Sequence, residues 1–135
     1  MSSASAKVVL YVVNDLAYFR AHRQALAAAV ARRGCHVFVI AGNCSKDDAR
    51  ANDPFKLVAI DITRQNLDPV SDFLLARSVR RWVKENQPDI VHLITIKPVL
   101  FGTLGLVFPM PLSGFKLLWT MPGLGKIYEP GTSLR

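Results

Sequence analysis

The chain has 135 residues, half of them hydrophobic and a fifth charged, with a mean hydropathy of +0.22. These values exclude a disordered, collagen-like or simple coiled-coil polypeptide and suit one domain that buries roughly two thirds of its unfolded surface. Seventeen Lys and Arg against ten Asp and Glu leave a formal charge of +7, so the surface should attract phosphates, sugar nucleotides, nucleic acid or anionic lipid.

Residues 1–7 include a Ser/Ala-rich start that should be loose. Val8 to Val13 is a continuous β-branched and aromatic run, the pattern of a strand buried on both faces of a parallel sheet, and it meets Asp15 too soon to serve as a signal peptide. From Phe19 to Arg33 the periodicity predicts one helix, with Phe19, Leu26, Ala27, Val30 and Ala31 on one face and Gly34 as its stop. His36 to Ala41 is a second strand, and the polar stretch from Gly42 to Pro54 is a loop. Phe55 to Ile62 alternates more and reads as a third strand nearer an edge, followed by a polar loop to Asp68.

A long helix runs from Pro69 to the Gln87-Pro88 stop. Leu75, Ala76, Val79, Trp82 and Val83 share one face, while Arg77, Arg80, Arg81 and Lys84 fall mostly on another. Asp89 to Thr95 is a fourth strand, Pro98 to Phe108 a short apolar helix and Phe115 to Met121 a fifth strand. The stretch between Lys97 and Lys116 is free of charge, but Pro109, Pro111 and Gly114 break it as a membrane span. Strands alternating with helices predict an α/β fold: a doubly wound, mostly parallel, Rossmann-like sheet in three α/β/α layers. Ligands of such a sheet sit outside the carboxyl ends of its strands.

That rule selects the segments after each strand. Lys97 stands ahead of Pro98, where a cation and free backbone N–H groups can face one anion; a solvated lysine beside a helix cap is the equal alternative. His22 and Arg23 fall in the first turn of the expected helix, where a cation opposes the helix dipole, which hints at a ligand, although a solvated pair reads as well. His92 reads as a core histidine and the basic face of the long helix as a solvated surface, with anionic lipid headgroups as its rival partner. Cys35 and Cys44 supply neither a disulfide framework nor a four-ligand zinc set, and a reducing cytoplasm is the expected setting. Gly123-Leu124-Gly125-Lys126 fails the Walker pattern, with Thr120 and Ile127 in the required Gly and Ser/Thr positions. It fails the dinucleotide fingerprint at Tyr128. Aromatic interleaving and a recognition helix are missing, which argues against nucleic acid.

Val12-Val13-Asn14-Asp15 with Phe19-Arg20-Ala21-His22-Arg23, then Gln87 to Leu93, Thr95-Ile96-Lys97-Pro98-Val99-Leu100-Phe101-Gly102 and Gly123-Leu124-Gly125, resemble the N-terminal domain of bacterial family 4-like glycosyltransferases. The resemblance spans nearly the whole chain. It implies one half of a GT-B fold, in which two Rossmann-like domains face each other across a cleft. It also implies transfer of a sugar from a nucleotide donor, UDP- or another NDP-sugar, with retention at the anomeric carbon and without metal or other cofactor.

By the same resemblance Asn14, His22, Arg23, Thr95 and Lys97 line the acceptor side of the cleft, Gly123 and Gly125 bring backbone near the donor phosphates, and no catalytic residue is assigned. The expected partners are a sugar acceptor, either a glycan or lipid-linked, and a C-terminal donor-binding domain or partner chain, which the 135 residues do not supply. Cell-surface polysaccharide synthesis in the cytoplasm, at the inner face of the cytoplasmic membrane and in contact with anionic lipid, is the implied setting. Ile94 departs from the family, which often carries a second His there, as do Phe101-Gly102-Thr103, Phe108 to Ser113, Pro122 and Lys126. An isolated half should be inactive, because one wall of the cleft is absent. The alternatives are a non-catalytic Rossmann-like glycan or anion-binding module and an inactive truncated gene product.

Overall fold

The computed structural model describes residues 6–60 and 69–121. Among these residues five strands, β1 (Val8–Val13), β2 (His36–Ala41), β3 (Lys56–Ala59), β4 (Ile90–Ile94) and β5 (Lys116–Thr120), form one sheet in the order β3-β2-β1-β4-β5. Every pairing is parallel, with Val8 opposite His36 on one side of β1 and Val9 opposite Ile90 on the other. This is the expected doubly wound α/β fold, and β3 lies at an edge as its weaker pattern predicts.

The uninterrupted apolar run of β1 suits its central place, since both its faces are covered. Val9, Tyr11 and Val13 pack with Val37, Val39, Leu16, Phe19 and Ala27 on the side of α1 (Leu16–His22) and α2 (Gln24–Arg32). Leu10 and Val12 pack with Ile40, Leu93, Leu75, Val79 and Val83 on the side of α3 (Pro69–Asn86). α3 buries Leu75, Ala76, Val79 and Val83, the face its helical spacing predicts.

One expectation is corrected in the first half. The single helix over 19–33 is two helices that meet at Arg23, and the first begins earlier, at Leu16. The early start has a clear cause: the Asp15 carboxylate accepts the Tyr18 N–H at 3.2 Å and so caps the helix. At the junction Arg23 has φ −125° and ψ −8°, yet its N–H still donates to the Phe19 carbonyl and its carbonyl accepts from Ala27. Hydrogen bonding thus continues through the kink, and the hydrophobic pattern carries no mark of it.

The apolar helix expected at 98–108 is a π-helical turn (Pro98–Gly102) continued by α4 (Thr103–Val107). β3 is shorter than the expected strand, whose last residues, together with residues 1–5, lie outside the described residues. Among the described residues, no helix is long and apolar enough to cross a membrane.

Candidate functional site at the strand carboxyl ends

From β1 the chain builds outward to β2 and β3, then returns to place β4 on the other side of β1. The reversal leaves a crevice at the carboxyl ends of β1 and β4, where ligands of such sheets bind. Asn14 follows β1 and Thr95 follows β4, and the Thr95 hydroxyl donates to the Asn14 side-chain oxygen at 3.0 Å. Two of the residues assigned by resemblance are therefore in contact across the switch point.

Thr95 has φ 72°, a left-handed backbone that a β-branched side chain adopts only at a cost of order 1–3 kcal/mol. Three bonds hold it there. Its N–H donates to the Thr120 carbonyl at 2.8 Å, its carbonyl accepts the Val99 N–H at 3.1 Å, and its hydroxyl is the one on Asn14. Asn14 is only 7% exposed and Asp15 8%. Beside them Asn43, also left-handed at φ 53°, donates to the Asp15 carboxylate at 3.5 Å. A pocket of about 330 Å³ opens next to this corner, lined by Leu16, Arg20, Asn43, Cys44, Asp47 and Arg50 among others.

A second cluster adjoins the first through Thr120. Its carbonyl holds Thr95, while its hydroxyl lies 2.6 Å from His92 Nε2. His92 is a half-buried strand residue whose ring packs on Tyr11 at 5.4 Å. Burial, and after it the charge of Arg23, hold its imidazole below the usual histidine range. The expectation of a satisfied histidine is met, but the residue is tied to the site rather than lost in the core. Thr120 escaped the sequence reading; only the β4–β5 register, with His92 opposite Leu118 and Ile94 opposite Thr120, reveals it. Ile94, at the position where the resemblance leads one to expect a second imidazole, is fully buried against β1 and α1.

Arg23 sits at the junction of α1 and α2 rather than in a first turn, and its Nε is buried with no hydrogen-bond partner among the described residues. His22 is exposed in the last turn of α1, its ring tilted against that of Tyr18 with centroids 4.7 Å apart. A cation there suits the helix dipole, so the argument from an unfavourable placement does not apply to it. Lys97 is neither a free anion-facing cation nor solvated. It is 13% exposed and its Nζ lies 3.2 Å from the Asp72 carboxylate, tying the start of the π turn to α3. Gly123 and Gly125 lie outside the described residues.

Two further arginines are structural. Arg20 donates to the Asp53 carboxylate and the Asp48 carbonyl, and lies over the Phe55 ring at 5.5 Å. Arg80, read in the sequence as part of a solvated basic face, donates to the carbonyls of Gly105, Phe108 and Met110 at 2.8–3.2 Å. A hollow of about 590 Å³ lined by Lys84, Gln87, Pro88, Pro111 and Phe115 lies at the amino ends of β4 and β5, away from the switch point. Among the described residues, no group of three His, Cys, Asp or Glu side chains could hold a metal ion.

Comparison with known proteins bears on the fold and the family. No curated protein matches the chain. A glycosyltransferase from Rickettsia africae ESF-5 shares the fold at a TM-score of 0.60 and 17% identity, over 96% of this chain and 35% of that one. CalG4, the calicheamicin glycosyltransferase, does so at a TM-score of 0.50 and 17% identity, over 76% of this chain and 30% of its own. The chain thus spans about a third of the length of these solved structures. Residues 8–111, which include both sides of the switch point, match the family described as glycosyl transferase 4-like, and the chain belongs to that family.

Proposed function

We propose that this chain forms the acceptor-side half of a retaining glycosyltransferase. The reaction breaks the bond between the anomeric carbon and the donor's diphosphate and forms one to an acceptor hydroxyl. The nucleotide diphosphate leaves and the hydroxyl gives up its proton. The observation that carries this reading is the Asn14–Thr95 bridge, a strained and over-determined polar contact at the switch point of a family member. Held at that corner, the two side chains can orient an acceptor hydroxyl.

On this reading the acceptor is a glycan or a lipid-linked sugar of cell-surface polysaccharide synthesis. A donor-binding domain, joined to this one or carried by a partner chain, forms the opposite wall and binds the UDP- or other NDP-sugar. Positioned donors on both walls are what stabilise the departing diphosphate. The work is set at the inner face of the cytoplasmic membrane. Supporting that setting, Leu100, Leu104, Val107, Phe108 and Met110 are exposed on and just after the π turn and α4, in the same helical layer as Arg77 and Lys84 of α3.

The test is sugar transfer by the two-walled enzyme, followed as release of nucleotide diphosphate. Asn14→Ala and Thr95→Ala should each lower kcat/KM at least about tenfold, the loss expected when one orienting hydrogen bond is removed. Unchanged kinetics in both variants would exclude the corner from the reaction.

A further inference from the structure

We propose that Arg23, His92 and Thr120 form a phosphate-binding subsite, with the Arg23 guanidinium as its cationic anchor. Arg20, Lys97, Lys7 and Arg81 each meet a carboxylate, whereas Arg23 meets none among the described residues, and its Nε is buried without an acceptor. A guanidinium cannot shed its proton to escape this situation, and an anion is the ligand that answers both its charge and its open Nε donor.

The groups on the face of the sheet that α1 covers suit the same ligand, since His92 packs on Tyr11 and Tyr11 on Phe19 of α1. The His92 ring is backed by Tyr11 and bonded at Nε2 to the Thr120 hydroxyl, so both side chains are oriented before anything binds. With the proton on Nε2, the Thr120 oxygen accepts from His92 and its own hydrogen is left for a ligand oxygen. Among the described residues access is open: on this side of β4 and β5, Leu118 is exposed and Ile90 and His92 are half-buried. Phosphate fits better than carboxylate, because several oxygens on one centre can accept from a planar guanidinium and a hydroxyl at once.

The subsite rests on the functional reading above for the source of the phosphate, which is a phosphorylated acceptor or the donor's diphosphate. Binding itself requires no transfer and is tested on the intact chain alone. Inorganic phosphate is titrated at constant ionic strength while the His92 ring resonances are followed by NMR. A saturable shift is expected. Arg23→Gln should weaken binding by at least about tenfold, the scale of one charged hydrogen bond. Arg23→Lys, which keeps the charge and loses the fork, should fall between, and Thr120→Val should weaken binding in a strand whose backbone pairing is untouched.

Arg33→Gln removes the same charge from an exposed position and should change affinity by less than about twofold, as expected of a screened surface charge. The proposal is overturned if the wild-type shift does not saturate, if Arg23→Gln binds as wild type does, or if Arg33→Gln loses as much. Competition then identifies the source: displacement by glucose 1-phosphate points to a phosphorylated acceptor and displacement by UDP to the donor. Displacement by neither overturns the subsite. A protein that transfers sugar but binds no phosphate removes this inference and leaves the function standing; one that binds phosphate but transfers nothing with its donor wall does the reverse.

Discussion

At Gly105 a single added carbon decides whether two helices can meet. A Cβ there would lie 2.2 Å from the Ala76 carbonyl oxygen of α3, a backbone atom that cannot swing aside. Helix propensity favours Ala over Gly by up to about 1 kcal/mol, but overpacking of this kind costs roughly 1–3 kcal/mol and the contact is between main chains, so the clash prevails. Gly105→Ala should therefore lower unfolding stability by about 1–3 kcal/mol in urea; a neutral or stabilising effect would show that α4 shifts freely. His92 acts on stability through protons instead. Its folded pKa is depressed, so the unfolded chain binds the proton more readily. Its effect is nil well above the ordinary histidine pKa of about 6.5, and stability falls as pH drops through that value towards the lower folded one. His92→Gln should flatten this limb of the stability curve. An unchanged limb would assign the acid sensitivity elsewhere.

Among elements, the π turn and α4 together are short and owe their position to neighbours rather than to intrinsic helix strength. Arg80 of α3 supplies much of that support, holding three carbonyls at the end of α4 and the loop beyond it. Arg80→Ala should cost about 2 kcal/mol and speed hydrogen exchange of the Phe108 and Leu112 amides, which donate to the Leu104 and Leu106 carbonyls. Unaltered exchange at both would mean the segment stands without Arg80. The contrast between Val79 and Arg80 shows what was legible in the sequence. Period and hydrophobicity place Val79 in the core, because burial follows from one residue's chemistry and its spacing. Arg80 looks like any solvated cation until the carbonyls that it serves arrive from 25 to 30 positions away. The Arg23 kink was hidden for a related reason, since no Gly, Pro or change of polarity marks it. The apolar period beginning at Phe19 draws the helix start too late, because the cap at Asp15 and the first turn after it lie outside that period. Asn14 and Thr95 were placed at strand ends by the sequence alone, yet their contact depends on strand order, which pattern does not encode.

For the whole molecule, the outer surface of α3 and α4 combines two chemistries. Ile96, Leu100, Leu104 and Val107 recur at helical spacing with exposed side chains, while Arg77, Arg81 and Lys84 line α3. Arg81 is partly neutralised by Glu85 at 3.1 Å, and Arg80 is spent on carbonyls, so the electrostatic pull rests mainly on Arg77 and Lys84. At roughly 1 kcal/mol per basic residue near an anionic surface, the chain should bind phosphatidylserine vesicles at least about tenfold better than phosphatidylcholine ones. Leu104→Glu with Phe108→Glu should abolish flotation with them. Equal binding to both lipids, or none at low salt, would remove the membrane setting while leaving the switch-point chemistry intact.

The placement of β1 at the centre of the sheet also has a consequence for how the protein is made. One edge of β1 is satisfied early, by β2, but the other waits for β4. The Val8 N–H that ends on the Asp89 carboxylate bridges 81 positions of chain. During synthesis the first β-α-β unit therefore leaves the ribosome with a bare apolar strand edge, and it stays bare until the tenth decade of residues emerges. Nascent chains paused before Ile90 are the ones that most need a chaperone's cover.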